Sequence, residues 1–287
     1  MKPAPFEYHD PRSLDEALER LASLGDEAKI LAGGQSLMPM LNLRLARPAA
    51  LVDINRLPGL DTLAIEAGTL RVGALVRQRA LERWAERHQP LFASALRLVG
   101  HVAIRNRGTV GGSIAHADPA SELPALLLCL DGSVVAHRRG SERLIPSGDF
   151  FQGPLMTALG NDELVTETRW SLPGPLAGWG FHEVARRHGD FALVGAIALL
   201  DVRGGRVERA RVALFGVGPV AARARATEQA LAGQTPSSTL FAEAAALAAD
   251  GLDPQSDLHA SAGYRRRVAA TLTARALADA LARVGPA

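Results

Sequence analysis

Apolar residues recur at helical spacing near the start of the chain: Leu14, Ala17, Leu18, Leu21 and Ala22 fall on one face. Ser13 precedes them and Glu16 follows three residues later, which is capping-box spacing, and Gly25 marks the end. The short apolar run 29–32 leads into Gly33-Gly34 and reads as a strand entering a tight turn. The run 50–54 reads as a second strand, completing a small βαβ-like module. Apolar runs at 63–65 and 70–72 flank Gly68 and predict a hairpin. Helical periodicity returns over 77–86 and 91–99. After Gly100 the pattern breaks through 101–107 and passes into a glycine-rich loop. A helix is expected over 119–130, with Pro124 near its start, and strands over 134–137 and 164–170. Leu172-Pro173-Gly174-Pro175 punctuates the chain and predicts a domain boundary. Beyond it lie three strand-like runs, 180–187, 191–202 and 207–215, the last two joined by a Gly204-Gly205 hairpin turn. Helices are expected over 227–232, 240–249 and 263–284.

The order of elements predicts an α+β protein, with one domain over 1–175 (subdomains about 1–57 and 58–175) and a second over 176–287. Length fits this, since 287 residues exceed what one small core organises. The formal net charge is only +2, and the arginine clusters Arg138-Arg139, Arg186-Arg187 and Arg265-Arg266-Arg267 are short and scattered. They read as solvated surface or subunit contact, which argues against a nucleic-acid-binding face. The longest apolar run, 191–200, is too short to span a bilayer, and the first residues lack the apolar core of a secretory signal. These features set the expectation of a cytoplasmic protein. Cys129 is the single cysteine. It lies in an apolar run and reads as a buried small hydrophobe, and one cysteine excludes both an intrachain disulfide and an all-cysteine iron–sulfur cluster within this chain.

Two segments carry candidate chemistry: Leu31-Ala32-Gly33-Gly34-Gln35-Ser36-Leu37, and Gly108 to Pro119 with Thr109, Val110, Gly111, Gly112 and Ser113 at its start. Glycine lets a ligand approach the backbone closely, and successive N–H groups in such turns form anion nests. Neither segment has the G-x-G-x-x-G or P-loop pattern. Two nests about 75 residues apart suit a diphosphate clamped between subdomains, and they suit equally two ordinary tight turns. The dispersed histidines show no metal-ligand spacing, and no nucleophile motif is present. The sequence therefore assigns neither a catalytic residue nor a metal site.

The chain resembles the FAD-binding medium subunits of molybdenum hydroxylases, the carbon monoxide dehydrogenase medium chain and xanthine dehydrogenase FAD-subunit type. The resemblance lies in AGGQSLMPMLNLRLARPAALVDINRL (32–57), GTVGGSIAHADPASELPALLLCLDG (108–132), RRHGDFA (186–192) and LHASAGYRRRVAATLTARAL (258–277). These landmarks run in order along essentially the whole chain. The resemblance implies a vanillyl-alcohol oxidase (PCMH)-type FAD-binding domain of two α/β subdomains, followed by a C-terminal domain with a three-stranded antiparallel sheet and helices. It implies noncovalent FAD, with residues 32–36 and 109–113 at its pyrophosphate and ribose, Lys29 and Ile30 bordering it, Glu122 toward the adenosine half and Leu164 against the adenine. Phe191 is expected beside the flavin ring, or alternatively in a strand core. His116 and Asp118 admit an acid–base reading, but their place in the second segment favours loop shaping or cofactor contact.

The resemblance further implies a large molybdenum-cofactor subunit and a small subunit with two [2Fe-2S] clusters as partners, in a dimer of heterotrimers. The molybdenum cofactor and the clusters would reside only in those partners. Electrons would pass from the clusters to FAD and on to an external acceptor, with no acid, base or nucleophile required of this chain. A stand-alone FAD-dependent oxidoreductase with its own small-molecule substrate is the alternative. A docking subunit exposes apolar groups, and Trp84, Trp170 and Trp179 are either such groups or core residues.

Overall fold

A computed structural model of the chain describes residues 2–285. The first subdomain runs β1 (Glu7–His9), α1 (Leu14–Leu24), β2 (Ala28–Leu31), α2 (Leu37–Asn42) and β3 (Ala50–Asp53). The three strands are parallel, with β3 in the centre. At the start of α1 the Ser13 hydroxyl accepts the Glu16 N–H at 3.2 Å. The reciprocal arm of the capping box slips by one residue, because the Glu16 carboxylate accepts the Arg12 N–H at 2.8 Å. Ala17, Leu18 and Leu21 bury against Val52, Ile54 and Leu57. That apolar contact fixes β2 against β3, so that the end of β2 delivers Gly33-Gly34 to a defined place. β1 and α2 left no trace in the sequence pattern, because three and six residues are too few to show a period.

The second subdomain contains β4 (Leu63–Glu66), β5 (Thr69–Gly73), α3 (Gln78–His88), α4 (Pro90–Leu96), α5 (Val102–Arg107), α6 (Val110–His116) and α7 (Glu122–Cys129). It continues with β6 (Ser133–Arg138), β7 (Ser141–Pro146), the single turn α8 (Ser147–Phe150), β8 (Phe151–Gly153), β9 (Met156–Thr157) and β10 (Leu164–Ser171). Five strands make an antiparallel sheet in the order β4-β5-β10-β6-β7, and β8 and β9 pair separately. The expected broken segment and glycine loop over 101–113 are instead two short helices, α5 and α6. Thr109 caps α6 by accepting the Gly112 N–H at 3.0 Å, a stop-and-restart that periodicity cannot reveal in six- and seven-residue helices.

The C-terminal part comprises β11 (Gly178–Val184), β12 (Val194–Arg203), β13 (Arg206–Phe215), β14 (Ala222–Arg223), α9 (Arg225–Leu231), α10 (Ser238–Asp250) and α11 (Ala262–Ala282). Its antiparallel sheet has the order β11-β12-β13-β14, so a two-residue fourth strand joins the three expected ones. Ala196, Ala198, Leu200, Val212 and Leu214 pack on the helices. Ile197, Leu199, Ala213 and Phe215 point the other way, into a core shared with Phe92, Leu126 and Trp170 of the second subdomain. Burial of both faces explains why β12 reads as an unbroken apolar run.

Of the side chains singled out in the sequence, Arg265 departs from expectation, whereas Cys129 is buried as expected. Trp170 is fully buried and meets the Phe92 ring edge-on at 5.2 Å, and Trp84 and Trp179 are half-buried, so no tryptophan stands exposed for docking. Arg265, read as surface, is buried, where it binds the carbonyl oxygens of Leu193 and Gly216 and the carboxylate of Asp257. Cys129 is fully buried, and desolvation pushes its thiol up to about 12. No helix among the described residues is long and apolar enough to cross a membrane.

Candidate cofactor-binding site

The two glycine segments meet. A Cβ on Gly33 would lie 2.5 Å from the Arg107 carbonyl oxygen and 2.8 Å from the Gly108 Cα. Only glycine allows the backbone after β2 to lie against the turn between α5 and α6. Gly34 adopts φ +72°, turning the chain into α2. On the far side, Gly111 rests on the Ala74 backbone, where a Cβ would be 2.6 Å from Ala74 Cα.

The backbone donors of the two segments have different fates. In the second segment they are spent inside the protein. Val110 donates to Val76 at 2.9 Å, Gly111 to Ala74 at 3.1 Å, Gly112 to the Thr109 hydroxyl at 3.0 Å and Ser113 to the Thr109 carbonyl at 3.1 Å. The expected N–H nest is therefore absent there, and the Ser113 hydroxyl is what that segment offers a ligand. In the first segment, the N–H groups of Gly33, Gly34, Gln35, Ser36 and Leu37 have no acceptor among the described residues. Gln35 turns its amide back onto the Gly33 carbonyl oxygen at 3.0 Å, shaping the loop without using its donors. Five consecutive unspent amides beside the Ser36 hydroxyl form a donor set that fits an anionic group such as a diphosphate.

Two residues that sequence reasoning missed lock the segments together. Asn55 donates to the Ala32 carbonyl oxygen at 2.8 Å and to Asp53 Oδ1 at 2.6 Å, and its own oxygen accepts from Arg77 at 2.7 Å. Arg77 also donates to the Arg107 carbonyl oxygen at 2.6 Å. Burial, reinforced by the like charge of Arg107, pulls the Arg77 guanidinium below its ordinary value. Burial alone would raise the Asp53 carboxyl, but hydrogen bonds from Tyr8 and Asn55 outweigh it and hold the group below its usual range.

The other candidates scatter around this contact. Lys29, Ile30 and Leu31 lie on the edge strand β2, with Lys29 exposed. His116 ends α6, where burial lowers its affinity for a proton against the pull of Asp118. Asp118 accepts the Ala120 N–H at 2.8 Å and so shapes the turn before α7. Glu122 opens α7 nearly fully buried, and desolvation with the nearby Asp118 charge pushes its carboxyl up to about 7, against its own N–H and Arg105. Leu164 is 2% exposed and packs with Leu57, Leu60 and Leu75. Phe191 is 67% exposed and precedes β12, which rules out the strand-core alternative. No group of three His, Cys, Asp or Glu among the described residues is arranged to hold a metal ion.

Comparison with known proteins identifies the family. Residues 4–170 match the FAD binding domain in molybdopterin dehydrogenase, and residues 179–280 match the CO dehydrogenase flavoprotein C-terminal domain. The chain is 42% identical over 289 residues to the 6-hydroxypseudooxynicotine dehydrogenase complex subunit alpha of Paenarthrobacter nicotinovorans, covering 100% of this chain and 98% of that one. It is 41% identical to the caffeine dehydrogenase subunit beta of a Pseudomonas species, covering 99% and 97%. The solved carbon monoxide dehydrogenase of Hydrogenophaga pseudoflava contains a chain that superposes with a TM-score of 0.96 at 38% identity, covering 99% of this chain and 100% of that one. The chain therefore belongs to the FAD-binding medium subunits of molybdenum hydroxylases, FAD-dependent oxidoreductase subunits of the carbon monoxide dehydrogenase and xanthine dehydrogenase type.

Proposed function

We propose that this chain holds one noncovalent FAD between its two N-terminal subdomains and serves as the electron outlet of a larger cytoplasmic complex. The observation that carries the reading is the run of five unspent amides at residues 33–37, pressed against the second glycine segment. Those amides and the Ser36 hydroxyl hold the diphosphate, while Ser113 donates from the facing helix. Thr109, Val110, Gly111 and Gly112 act by shape, bringing α6 close enough for that contact. His116, Asp118 and Glu122 line the approach toward the adenosine half, and Phe191 supplies an apolar wall for the ring. The FAD-binding domain spans 1–175 and the C-terminal domain 176–287.

The bound FAD supplies the redox chemistry, taking electrons from [2Fe-2S] clusters of a small partner subunit and releasing them to an external acceptor. The partners are that subunit and a large molybdenum-cofactor subunit, assembled as a dimer of heterotrimers. The chain's own residues bind, orient and shield the cofactor; none is needed to move a proton or attack a substrate. The reading is tested first on the purified chain, by its visible spectrum and by identifying the cofactor released on denaturation. Released FAD supports it, and a colourless chain that takes up no added FAD overturns it. In the reconstituted complex, omitting this chain should leave the clusters reducible by substrate while delivery to the acceptor stops.

A further inference from the structure

Three arginines are buried among the described residues, and two of them have counter-ions. Arg105 pairs with Glu82 and donates to the carbonyl oxygens of Val99 and Gly100 at 3.0 Å each. Arg265 pairs with Asp257 at 2.7 Å and holds the carbonyl oxygens of Leu193 and Gly216. Arg211 is the third. It is 5% exposed, its Nε is enclosed without an acceptor, and its guanidinium forms no hydrogen bond or ion pair with any described residue. Burial pulls this guanidinium below its ordinary value. It keeps its proton all the same, because arginine is not deprotonated in proteins, and a buried charge without a partner is costly.

The strand β13 turns Ala210, Val212 and Leu214 toward the C-terminal helices, and Ala213 and Phe215 toward the second subdomain. Alternation along the strand puts Arg211 on the second of these faces, against the last turn of α7, where the Cys129 thiol meets the Arg211 carbonyl oxygen at 3.9 Å. Its neighbours across the sheet are Leu199 and then Trp179, which pack in the shared apolar core. The charges around it do not cancel. Arg209 and Arg223 share Asp131 at 2.8 and 2.6 Å, and Arg223 and Arg225 share Glu228 at 2.7 and 3.2 Å. Asp201 acts on Arg211 only from a distance, and burial pushes the Cys129 thiol up to about 12, so it adds no negative charge. Arg209, Arg211, Arg223 and Arg225 therefore face Asp131, Glu228 and Asp201, four cations against three anions, and Arg211 is the one left over.

We propose that a small monovalent anion, a halide of the size and chemistry of chloride, binds Arg211 at the seam between α7 and β13. The sign and valence follow from the single excess positive charge. The size follows from burial: with 5% of its surface open, Arg211 is accessible to an ion and not to a nucleotide or a polypeptide segment. The apolar Leu199 and Trp179 beside it favour a weakly hydrated halide over sulfate or phosphate, which are excluded from such surfaces. The helix belongs to the part matched as an FAD binding domain and the strand to the part matched as a flavoprotein C-terminal domain. The bound anion thus ties one to the other.

The test compares thermal unfolding of the full chain in chloride and in gluconate, an anion too large to enter, at a constant ionic strength of about 0.15 M. Replacing gluconate by chloride should raise the wild-type melting midpoint by about 2 °C or more. Arg211→Met keeps the bulk and removes the charge. It should melt at one temperature in both salts, and in gluconate no lower than wild type, because the unpaired charge is gone. Bromide soaked into crystals of the wild-type chain should give an anomalous peak at the guanidinium, which decides the matter if the variant fails to fold. Coincident wild-type melts in the two salts would overturn the proposal, as would an Arg211→Met variant that responds to chloride as wild type does, or bromide bound only elsewhere.

Discussion

Arg77 donates to the side-chain oxygen of Asn55 at 2.7 Å while its other nitrogen grips the Arg107 carbonyl oxygen at 2.6 Å. One guanidinium therefore spans both glycine segments, and Asn55 passes the connection to Ala32. Hydrogen bonds to a charged group contribute about 1.5–3 kcal/mol each. Arg77→Ala should weaken FAD binding about tenfold or more, read by titrating flavin fluorescence, and Asn55→Ala should act in the same direction. Arg77→Lys should not rescue, because an ammonium cannot present two nitrogens in a fixed fork. Full affinity in Arg77→Ala would show that the segments hold together without this brace.

Gly33→Ala tests the contact itself. The new methyl would meet backbone atoms of Arg107 and Gly108 at 2.5 and 2.8 Å, and backbone cannot swing aside as a side chain does. Overpacking of this kind costs on the order of 1–3 kcal/mol, and the ratio of flavin to protein in the purified variant should drop. Gly174→Ala is the control: it has no neighbour within 4 Å and no positive φ. It should stay within about 0.5 kcal/mol of wild type and retain its flavin. Equal flavin content in both variants would argue that the close approach is incidental.

How much of this was legible in the sequence depended on length and distance. The eleven residues of α1 repeat their apolar positions often enough to show a period, and the ten of β12 show burial on both faces. The three of β1 and the six of α2 show nothing. Gly33-Gly34 could be read because glycine constrains the backbone locally. The fate of the Val110 and Gly111 amides could not, since their acceptors Val76 and Ala74 lie 34 or more residues away and are brought there only by folding. Asn55 and Arg77 were missed for the same reason: their partners Ala32, Arg107 and each other lie 22 or more residues away in the chain. The flavin assignment itself came from the resemblance of AGGQS and GTVGGS to a known family, which geometry could then examine amide by amide.

The buried pair of Glu82 and Arg105 sets an acid limit on stability. Burial alone would raise the Glu82 carboxyl, but hydrogen bonds from Arg79 and Arg105 outweigh it and hold the group below its ordinary 4.5. Its contribution is therefore full above 4.5 and lost as pH falls through the lower native value. Glu82→Gln should destabilise the chain at neutral pH by about 3 kcal/mol, because Arg105 is left buried without its counter-ion. The same variant should lose less stability than wild type on acidification. Urea unfolding at a series of pH values measures both, and parallel acid limbs would remove Glu82 from the account.

Phe191 separates a role in the fold from a role at the cofactor. The loop that carries it is pinned on both sides: Gly189 sits against His101, where a Cβ would be 2.7 Å from Cε1, and Arg265 holds the Leu193 carbonyl oxygen. Phe191 itself projects 67% exposed from this fixed base, outside the apolar cores. Phe191→Ala should therefore leave unfolding within about 0.5 kcal/mol of wild type. If the ring borders the flavin, the same variant should shift the bound-flavin absorption bands and raise flavin fluorescence by opening that side to water. An unchanged spectrum in a fully flavinated variant would remove Phe191 from the ring's surroundings. A loss of stability instead would mean that its exposed face packs on something the isolated chain lacks, which repeating the melt with the partner subunits present would reveal.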